Sequence, residues 1–232
     1  MAPVITLILI GPTGSGKSSF VKKAAKLKDE AIGIGKGLQP CTMNCEVYTF
    51  KHKETEFSLI DTPGLQDDPI RNFPVLKEIA SQLSKSSETP WISGAVYFHP
   101  ITDRRFGASN RLSLDIFRAI CGESLFSRVI SVTTMWDRLK REKIPEFKKL
   151  SDELRNDMLN FTGDGGVVYD LRATGDPWPG LSVLDHFAAI GCSKNRCLQL
   201  EKEVRSFGPS GFKKTQAGKE IKKRAKGACT IL

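Results

Sequence analysis

The chain has 232 residues, 40% of them apolar, which is enough to bury one core, and nothing in its composition indicates two independent domains. No apolar run reaches the roughly 18 residues of a membrane-spanning helix, and the apolar start lacks the basic residues of a secretory signal. The six cysteines lack the paired spacing of a zinc site. We expect cytosolic synthesis, with reduced thiols at Cys41, Cys45, Cys121, Cys192 and Cys197.

The first predicted element is an apolar strand over residues 4–10 that runs directly into a glycine-rich loop. This loop matches the phosphate-binding pattern at every fixed position and consists of Gly11, Pro12, Thr13, Gly14, Ser15, Gly16, Lys17 and Ser18. Its glycines let backbone N–H groups turn toward phosphate oxygens. Lys17 is expected to meet the β and γ phosphates and Ser18 to offer its hydroxyl to Mg²⁺. A helix begins here and points its positive end at the same anion.

The next segments indicate a switch-like region. The first helix fades near residue 28, and residues 29–44 form a glycine-rich stretch typical of a mobile loop. Strands over 46–51 and 56–60 flank a short polar turn, which predicts antiparallel pairing. The second strand ends in Asp61-Thr62-Pro63-Gly64, the place where phosphate-loop hydrolases hold Mg²⁺ and sense the γ phosphate.

Helices and strands then alternate, which predicts an α/β fold. Helical spacing covers 72–86, 108–122 and 145–160, strands cover 91–99, 128–134 and 167–169, and one or two helices cover 181–206. We therefore expect a three-layer phosphate-loop nucleoside triphosphatase (NTPase) domain over residues 1–207. Its sheet is mostly parallel with one antiparallel strand, and helices cover both faces.

Residues 208–232 are predicted to be a disordered polybasic tail. From Lys213 to Lys226 seven basic residues are opposed only by Glu220, a net +6 of the chain's +9. The last four residues, Cys229-Thr230-Ile231-Leu232, match a prenylation box that favours geranylgeranyl. A lipid on Cys229 and nearby lysines together predict peripheral attachment to the cytoplasmic face of an anionic membrane, which makes nucleic acid the less favoured partner.

The order of these signals resembles the G domain of translation-factor-related GTPases over residues 4 to about 190. The resemblance rests on the phosphate loop, Thr42, Asp61 with Gly64, and Thr134-Met135-Trp136-Asp137 after a later strand. Within that class the chain is similar to septin-like and immunity-associated GTPases. It is most similar to fungal G-domain proteins that share Gly37-Leu38-Gln39 before Cys41-Thr42, and Ile101-Thr102-Asp103-Arg104.

The resemblance implies GTP or GDP and Mg²⁺ as ligands and gives each motif a role. Lys17 and the loop amides bind phosphates, with Ser19 and Thr134 beside the nucleotide. The residues implied for the Mg²⁺ shell are Ser18, Thr42 and, through a bound water, Asp61. The Gly64 N–H would bond the γ phosphate, and Asp137 would accept hydrogen bonds from guanine, because adenine lacks the donors that a carboxylate needs.

Two positions depart from the family pattern. Met135 replaces the usual lysine, which predicts weaker guanine selectivity, and Leu65 replaces the water-orienting glutamine of Ras-type GTPases, which predicts slow hydrolysis. Relatives often pair G domains across the nucleotide face, and Arg104, with His99 and Arg105 nearby, is the candidate arginine finger. An arginine at a strand end is, however, more often simply solvated.

Three functions therefore stay open on the sequence. The first is a membrane-anchored GTP-binding switch with slow turnover that acts through GTP-dependent dimerisation of its G domain or through effector binding. The second is a nucleotide-loaded protein that assembles on membranes with little turnover. The third is a phosphate-loop kinase, which is disfavoured because the chain has no evident arginine-rich lid and because Asp61-Thr62-Pro63-Gly64 suits a γ-phosphate sensor.

Overall fold

The computed structural model describes residues 4–27, 43–85, 92–102, 108–162, 167–172, 178–192 and 197–229, and for 108–111, 158–162, 228 and 229 it describes the backbone alone. Its strands are β1 (Ile5–Ile10), β2 (Glu46–His52), β3 (Thr55–Asp61), β4 (Ile92–Pro100), β5 (Val129–Thr134) and β6 (Val167–Asp170). Its α-helices are α1 (Lys17–Ala24), α2 (Asn72–Ser84), α3 (Ala108–Cys121), α4 (Ile144–Thr162), α5 (Gly180–Ile190), α6 (Gln199–Phe207) and α7 (Gln216–Cys229). Short 3-10 turns lie at Glu123–Arg128, Trp136–Arg138, Arg141–Lys143 and Pro209–Lys214.

The strands form one sheet in the order β2-β3-β1-β4-β5-β6. All neighbours pair in parallel except β2 and β3, which pair antiparallel from Glu46 opposite Asp61 to His52 opposite Thr55. The mostly parallel sheet with one antiparallel strand is thus confirmed. Every residue of β1 and β4 is buried, because these central strands are covered on both faces, whereas the edge strand β2 alternates between exposed and half-buried residues.

Alternate side chains of β1 enter two separate cores. Ile8 and Ile10 pack with the helices α2, α3, α6 and α7, while Leu7 and Leu9 pack with α1 and α5. Since successive strand residues point to opposite faces, these two cores are the two faces of the sheet. The three-layer arrangement expected from the sequence follows. Among the described residues no helix is both long and apolar enough to span a bilayer.

The predicted disorder of the tail is wrong for residues 209–229. The segment forms a 3-10 turn followed by α7, and the buried residues Phe212, Ala217 and Ile221 join the core around α2 and α3. Lysine and glycine dominate the composition of this segment, yet apolar residues four apart place enough of one helix face against α3. Residues 216–229 are therefore an outer helix of the domain rather than an arm.

Candidate functional site

The phosphate-binding loop connects β1 to α1 at the carboxyl edge of the sheet. Gly14 and Gly16 have φ values of +75° and +93°, which glycine adopts without strain, and Gly16 stands at the N-terminal cap of α1. Gly11 has a different reason to be glycine: a Cβ there would lie 2.4 Å from the Phe98 carbonyl oxygen of β4. The loop is thus shaped both for turning its amides inward and for packing on the neighbouring strand.

Lys17 is buried inside this loop. Its Nζ donates hydrogen bonds to the carbonyl oxygens of Gly11 and Pro12, each at 3.1 Å. Burial lowers the pKa of Lys17 to about 8, and the nearby Asp61 carboxylate partly opposes that shift. The loop therefore holds a cation at its centre, where the sequence predicts contact with phosphates.

Ser18 and Asp61 meet at the mouth of the loop, although they are 43 positions apart in the chain. The Ser18 hydroxyl donates to Asp61 Oδ2 at 2.5 Å, while the buried Oδ1 of Asp61 has no hydrogen-bond partner among the described residues. Burial raises the pKa of Asp61, against the lowering effects of the Ser18 hydrogen bond and the Lys17 charge. A hydroxyl beside a buried, incompletely bonded carboxylate offers the hard oxygen atoms that Mg²⁺ prefers, so these residues fit the predicted ion.

The loop after β3 lies directly against the phosphate loop. Leu65 N–H donates to the Gly11 carbonyl at 3.0 Å, and Thr13 N–H donates to the Leu65 carbonyl at 2.9 Å. A Cβ on Gly64 would lie 2.4 Å from Thr13 Cα, so only glycine permits this approach. The predicted γ-phosphate sensor is therefore in contact with the loop that would hold the phosphates.

Two residues that shape this loop were not identified from the sequence. Asn72 at the start of α2 is fully buried, and its side chain accepts from Gln66 N–H at 2.8 Å and donates to the carbonyls of Gln66 and Asp68 at 2.9 and 3.2 Å. Thr62 is also fully buried and donates to the Leu9 carbonyl at 2.6 Å. For Asn72, the available signal was a polar side chain at a position that the helix pattern places inside.

The predicted guanine-binding motif, Thr134-Met135-Trp136-Asp137, is hydrogen-bonded to the phosphate loop through Thr134. Its hydroxyl donates to the Ser15 carbonyl at 2.8 Å, and the next residue, Met135, has a left-handed φ of +63°. Trp136 is buried and donates from its indole nitrogen to Thr133 Oγ1 at 2.8 Å. This anchoring turns the chain so that Asp137 reaches solvent beside α1.

Asp137 opens into a cavity of about 210 Å³ that extends to Gly16 of the phosphate loop. The remaining lining residues are Ser19, Phe20, Lys23, Thr134, Met135, Arg138, Leu171, Arg172 and Trp178. The Arg172 guanidinium carbon lies 5.5 Å from the Trp136 ring, and Lys23 Nζ lies 5.5 Å from the Trp178 ring. The arrangement joins the predicted phosphate loop, a carboxylate and a partly aromatic wall, and such a lining is typical of a small-molecule or cofactor pocket.

The resemblance to G domains also predicts that the last guanine-contacting loop lies near residues 168–173, and it assigns no single residue there. Leu171 and Arg172 line the cavity, and Leu171 N–H donates to the Thr133 carbonyl at 2.8 Å. Asp170 has a structural role instead, because its Oδ1 accepts from Thr133 Oγ1 and Ser151 Oγ, each at 2.7 Å.

Three predicted site residues are not placed by the structure. Thr42 and Arg104 lie outside the described residues, and Cys229 is described only as the last backbone position of α7. The structure brings together the phosphate loop, Asp61, Gly64, Thr134 and Asp137, which come from three separate stretches of the chain.

Comparison with known proteins identifies the family. The model of the AIG1 family matches residues 5–176. Among solved structures, the chain is similar to a dimerisation-deficient arginine-to-alanine mutant of Toc33 from Arabidopsis thaliana, with 18% identity, 78% of this chain and 81% of that chain covered, and a TM-score of 0.57. Toc33 from the same plant in complex with GDP and Mg²⁺ matches with 19% identity, the same coverage and a TM-score of 0.55.

A third solved structure concerns the chloroplast translocon components atToc33 and psToc159, and its stated subject is the importance of dimerisation for their GTPase activity. The identity is 20%, 72% of this chain and 69% of that chain are covered, and the TM-score is 0.50. At such identities these likenesses establish the fold, a phosphate-loop G domain.

Proposed function

The chain belongs to the AIG1 family, and from that premise we propose that it binds GTP and GDP with Mg²⁺ and works as a slowly hydrolysing, nucleotide-dependent switch. The observation that carries the proposal is the hydrogen bond of Thr134 to the Ser15 carbonyl, which joins the phosphate loop to the Asp137 cavity. A phosphate cradle that continues into a carboxylate-bearing pocket fits a guanine nucleotide better than a bare phosphate.

Different residues around the phosphate loop bind the phosphates, the Mg²⁺ ion and the guanine base. Lys17 and the amides after Gly14 hold phosphate oxygens, and Lys17 can exchange its bonds to the loop carbonyls for bonds to phosphate. Ser18 and Asp61 would hold Mg²⁺, which when bound neutralises charge on the β and γ phosphates. Asp137 accepts hydrogen bonds from the guanine ring, which gives the base selectivity.

Slow hydrolysis follows from the residue after Gly64. Leu65 is only 3% exposed and packs in the core with α2, so its side chain neither reaches nor polarises a water. The next residue, Gln66, carries a side-chain amide, but its Nε2 donates to Thr13 Oγ1 at 2.7 Å and to the Gly64 carbonyl at 3.2 Å. GTP hydrolysis in this site therefore depends on how the loops position the attacking water and on groups outside the described residues.

Calorimetric titration of the purified chain with GTP, GDP and ATP in the presence of Mg²⁺ tests the nucleotide proposal. We expect guanine nucleotides to bind more tightly than ATP. Asp137→Ala should lower the affinity for GDP by tenfold or more, because a hydrogen bond to a charged group contributes about that much binding free energy. Asp152→Ala, at an exposed aspartate of α4, is the matched control and leaves binding unchanged. Equal or better binding of ATP contradicts the proposal and favours the kinase alternative.

We further propose that the protein is held on a membrane through a prenyl group on Cys229. The terminal tetrad Cys229-Thr230-Ile231-Leu232 and the basic helix before it supply the two signals that stable attachment of a singly lipidated protein requires. Cys229→Ser is expected to move the protein from the membrane to the soluble fraction of cells, whereas Cys197→Ser leaves it in place. Retention of the Cys229→Ser protein on membranes contradicts this part of the proposal.

Pairing of two G domains is the third part of the proposal. Dimerisation is the subject of both the Toc33 mutant structure and the structure of the translocon components, which share this fold. A partner copy that assists hydrolysis would have to contact the carboxyl edge of the sheet, where the phosphate loop lies. Arg104 is the side chain that we propose for that assistance. It follows β4, whose carboxyl end lies at the same edge of the sheet as the phosphate loop.

A further inference from the structure

Helix α7 has two opposite faces of different chemistry. Ala217 and Ile221, which are fully buried, pack into the core around α2 and α3. The exposed positions Lys219, Lys222, Lys223 and Lys226 follow the spacing i, i+3, i+4, i+7, which places their side chains along one face of a helix. At 100° per residue this row, here called the lysine stripe, points away from the buried face.

The helix that carries the stripe is capped at its start and joined to α3 by an ion pair. Thr215 caps its start, because the Thr215 hydroxyl accepts from the Gly218 N–H at 3.1 Å. Near its other end Arg224 forms ion pairs with Asp115 of α3 and with Glu220, the latter at 3.0 Å. The Arg224 charge is thus used in docking, while the four stripe lysines lie at exposed positions, with Lys223 Nζ 4.0 Å from Glu220 of the same helix.

We propose that the lysine stripe is a docking surface for an anionic phospholipid bilayer, with α7 lying along the membrane as part of the folded domain. The inference rests on the proposed membrane attachment and deepens it, because it assigns the attraction to anionic lipids to one face of a folded helix rather than to a disordered arm. The four lysines span about 10 Å along the helix axis, so they meet several headgroups of a flat surface together.

The composition of the helix favours a bilayer over nucleic acid. Residues 216–229 contain no aromatic side chain for base stacking, and the one arginine, Arg224, is engaged by Asp115 and Glu220. Lysine acts as a point charge and does not make the bidentate contacts by which arginine reads bases and phosphates. In addition, α7 ends at Cys229, the residue that the prenylation box would place in the same membrane.

The stripe is separate from the nucleotide site. None of its residues lines the cavity between Gly16 and Asp137, and α7 packs on the α2 and α3 face of the sheet, opposite to α1. Membrane binding and nucleotide binding can therefore be measured independently in the same protein.

The test is sedimentation of the full chain with phosphatidylcholine vesicles that contain or lack phosphatidylserine. The chain carries Cys229→Ser so that no prenyl group contributes. We expect binding only to the phosphatidylserine vesicles, falling as ionic strength rises. The stripe variant, Lys219→Gln, Lys222→Gln and Lys223→Gln, should weaken partitioning about 100-fold, because each lysine near an anionic leaflet contributes roughly a five-fold factor.

The matched control also removes three positive charges and consists of Lys143→Gln, Lys148→Gln and Lys149→Gln, at exposed positions on and before α4. It is expected to retain vesicle binding. Equal losses in the two variants, or equal binding to vesicles without phosphatidylserine, would overturn the proposal. So would a stripe variant that keeps vesicle binding but loses binding to a labelled single-stranded RNA, because the partner would then be nucleic acid.

Two further readouts separate this proposal from the proposed function. Calorimetric GDP binding by the stripe variant should equal that of the parent chain, so a loss of vesicle binding alone concerns only the stripe. Hydrogen exchange of the α7 amides with and without vesicles tests whether the helix stays docked. Retained protection supports a folded docking surface, whereas loss of protection on vesicle binding overturns it.

Discussion

The missing side chain of Gly64 allows the loop after β3 to pack directly on the phosphate loop. Its backbone lies so close to Thr13 that a Cβ would stand 2.4 Å from Thr13 Cα and 2.6 Å from Thr13 N. Both neighbours are backbone atoms, so no side-chain rotation relieves the clash. The contact keeps the loop after β3 hydrogen-bonded to the phosphate loop through Leu65.

Gly64→Ala is therefore expected to push the two loops apart. Since the proposed role of the Gly64 N–H is to bond the γ phosphate, the affinity for a nonhydrolysable GTP analogue should fall tenfold or more, with a smaller effect on GDP. Calorimetry with both nucleotides measures the difference. Gly227→Ala, where a Cβ meets nothing within 4 Å, is the control and should change neither affinity. Parallel losses for GDP and the analogue would contradict the sensor role.

At the scale of single elements, sequence patterns and structure agree wherever local chemistry alone decides. The strand before Gly11 is uniformly apolar because β1 is buried on both faces, and the turn between β2 and β3 is short and polar because it connects paired strands at the surface. Periodicity of this kind is a local property. The bounds of most helices and strands could be predicted for that reason.

Elements that depend on distant partners could not be predicted from local patterns. Residues 216–229 look solvated in isolation, yet Ile221 finds a core only because α3 and α2 lie beside it in space. Asn72 looks like an ordinary first residue of a helix, but its side chain holds the loop from Gln66 to Asp68. In both cases the deciding contact is tertiary, and the sequence has no local feature that represents it.

The docking of α7 is testable through its one large aliphatic anchor. Ile221→Ala removes a fully buried side chain and is expected to lower the free energy of unfolding by about 2 to 4 kcal/mol, or to release α7 by itself. Chemical denaturation and hydrogen exchange distinguish these results. Lys222→Ala, one residue away on the exposed face, should cost less than about 0.5 kcal/mol. An Ile221→Ala protein with unchanged stability and unchanged α7 exchange would mean that the segment behaves as a free arm.

At the scale of the whole molecule, the parallel sheet brings the site together. The phosphate loop follows β1, Asp61 ends β3 and Thr134 ends β5, and parallel strands deliver their carboxyl ends to one edge. The motifs and their order are therefore enough to predict which residues meet. Details such as the hydrogen bond from Thr134 to Ser15, which fixes how they meet, required the three-dimensional arrangement.

The same edge is where a second copy would complete the chemistry. Leu65 is buried and Gln66 is bonded to Thr13, so neither of these two described residues is placed to orient water, and a partner copy is the proposed source of assistance. GTP turnover per molecule should then rise with protein concentration and level off once dimers predominate. Steady-state phosphate release over a wide concentration range, alongside sedimentation velocity, measures both quantities.

Arginine substitutions give this prediction its residue-level test. Arg104→Ala is expected to flatten the concentration dependence while leaving GDP affinity intact, because the residue would act on the γ phosphate of the partner copy. Arg141→Ala, at an exposed arginine before α4, is the control and should leave the dependence unchanged. Turnover that is independent of concentration would exclude activation by pairing. Nucleotide-dependent self-association without multiple turnovers would instead favour an assembly protein, in which bound GTP stabilises the contact and hydrolysis contributes little.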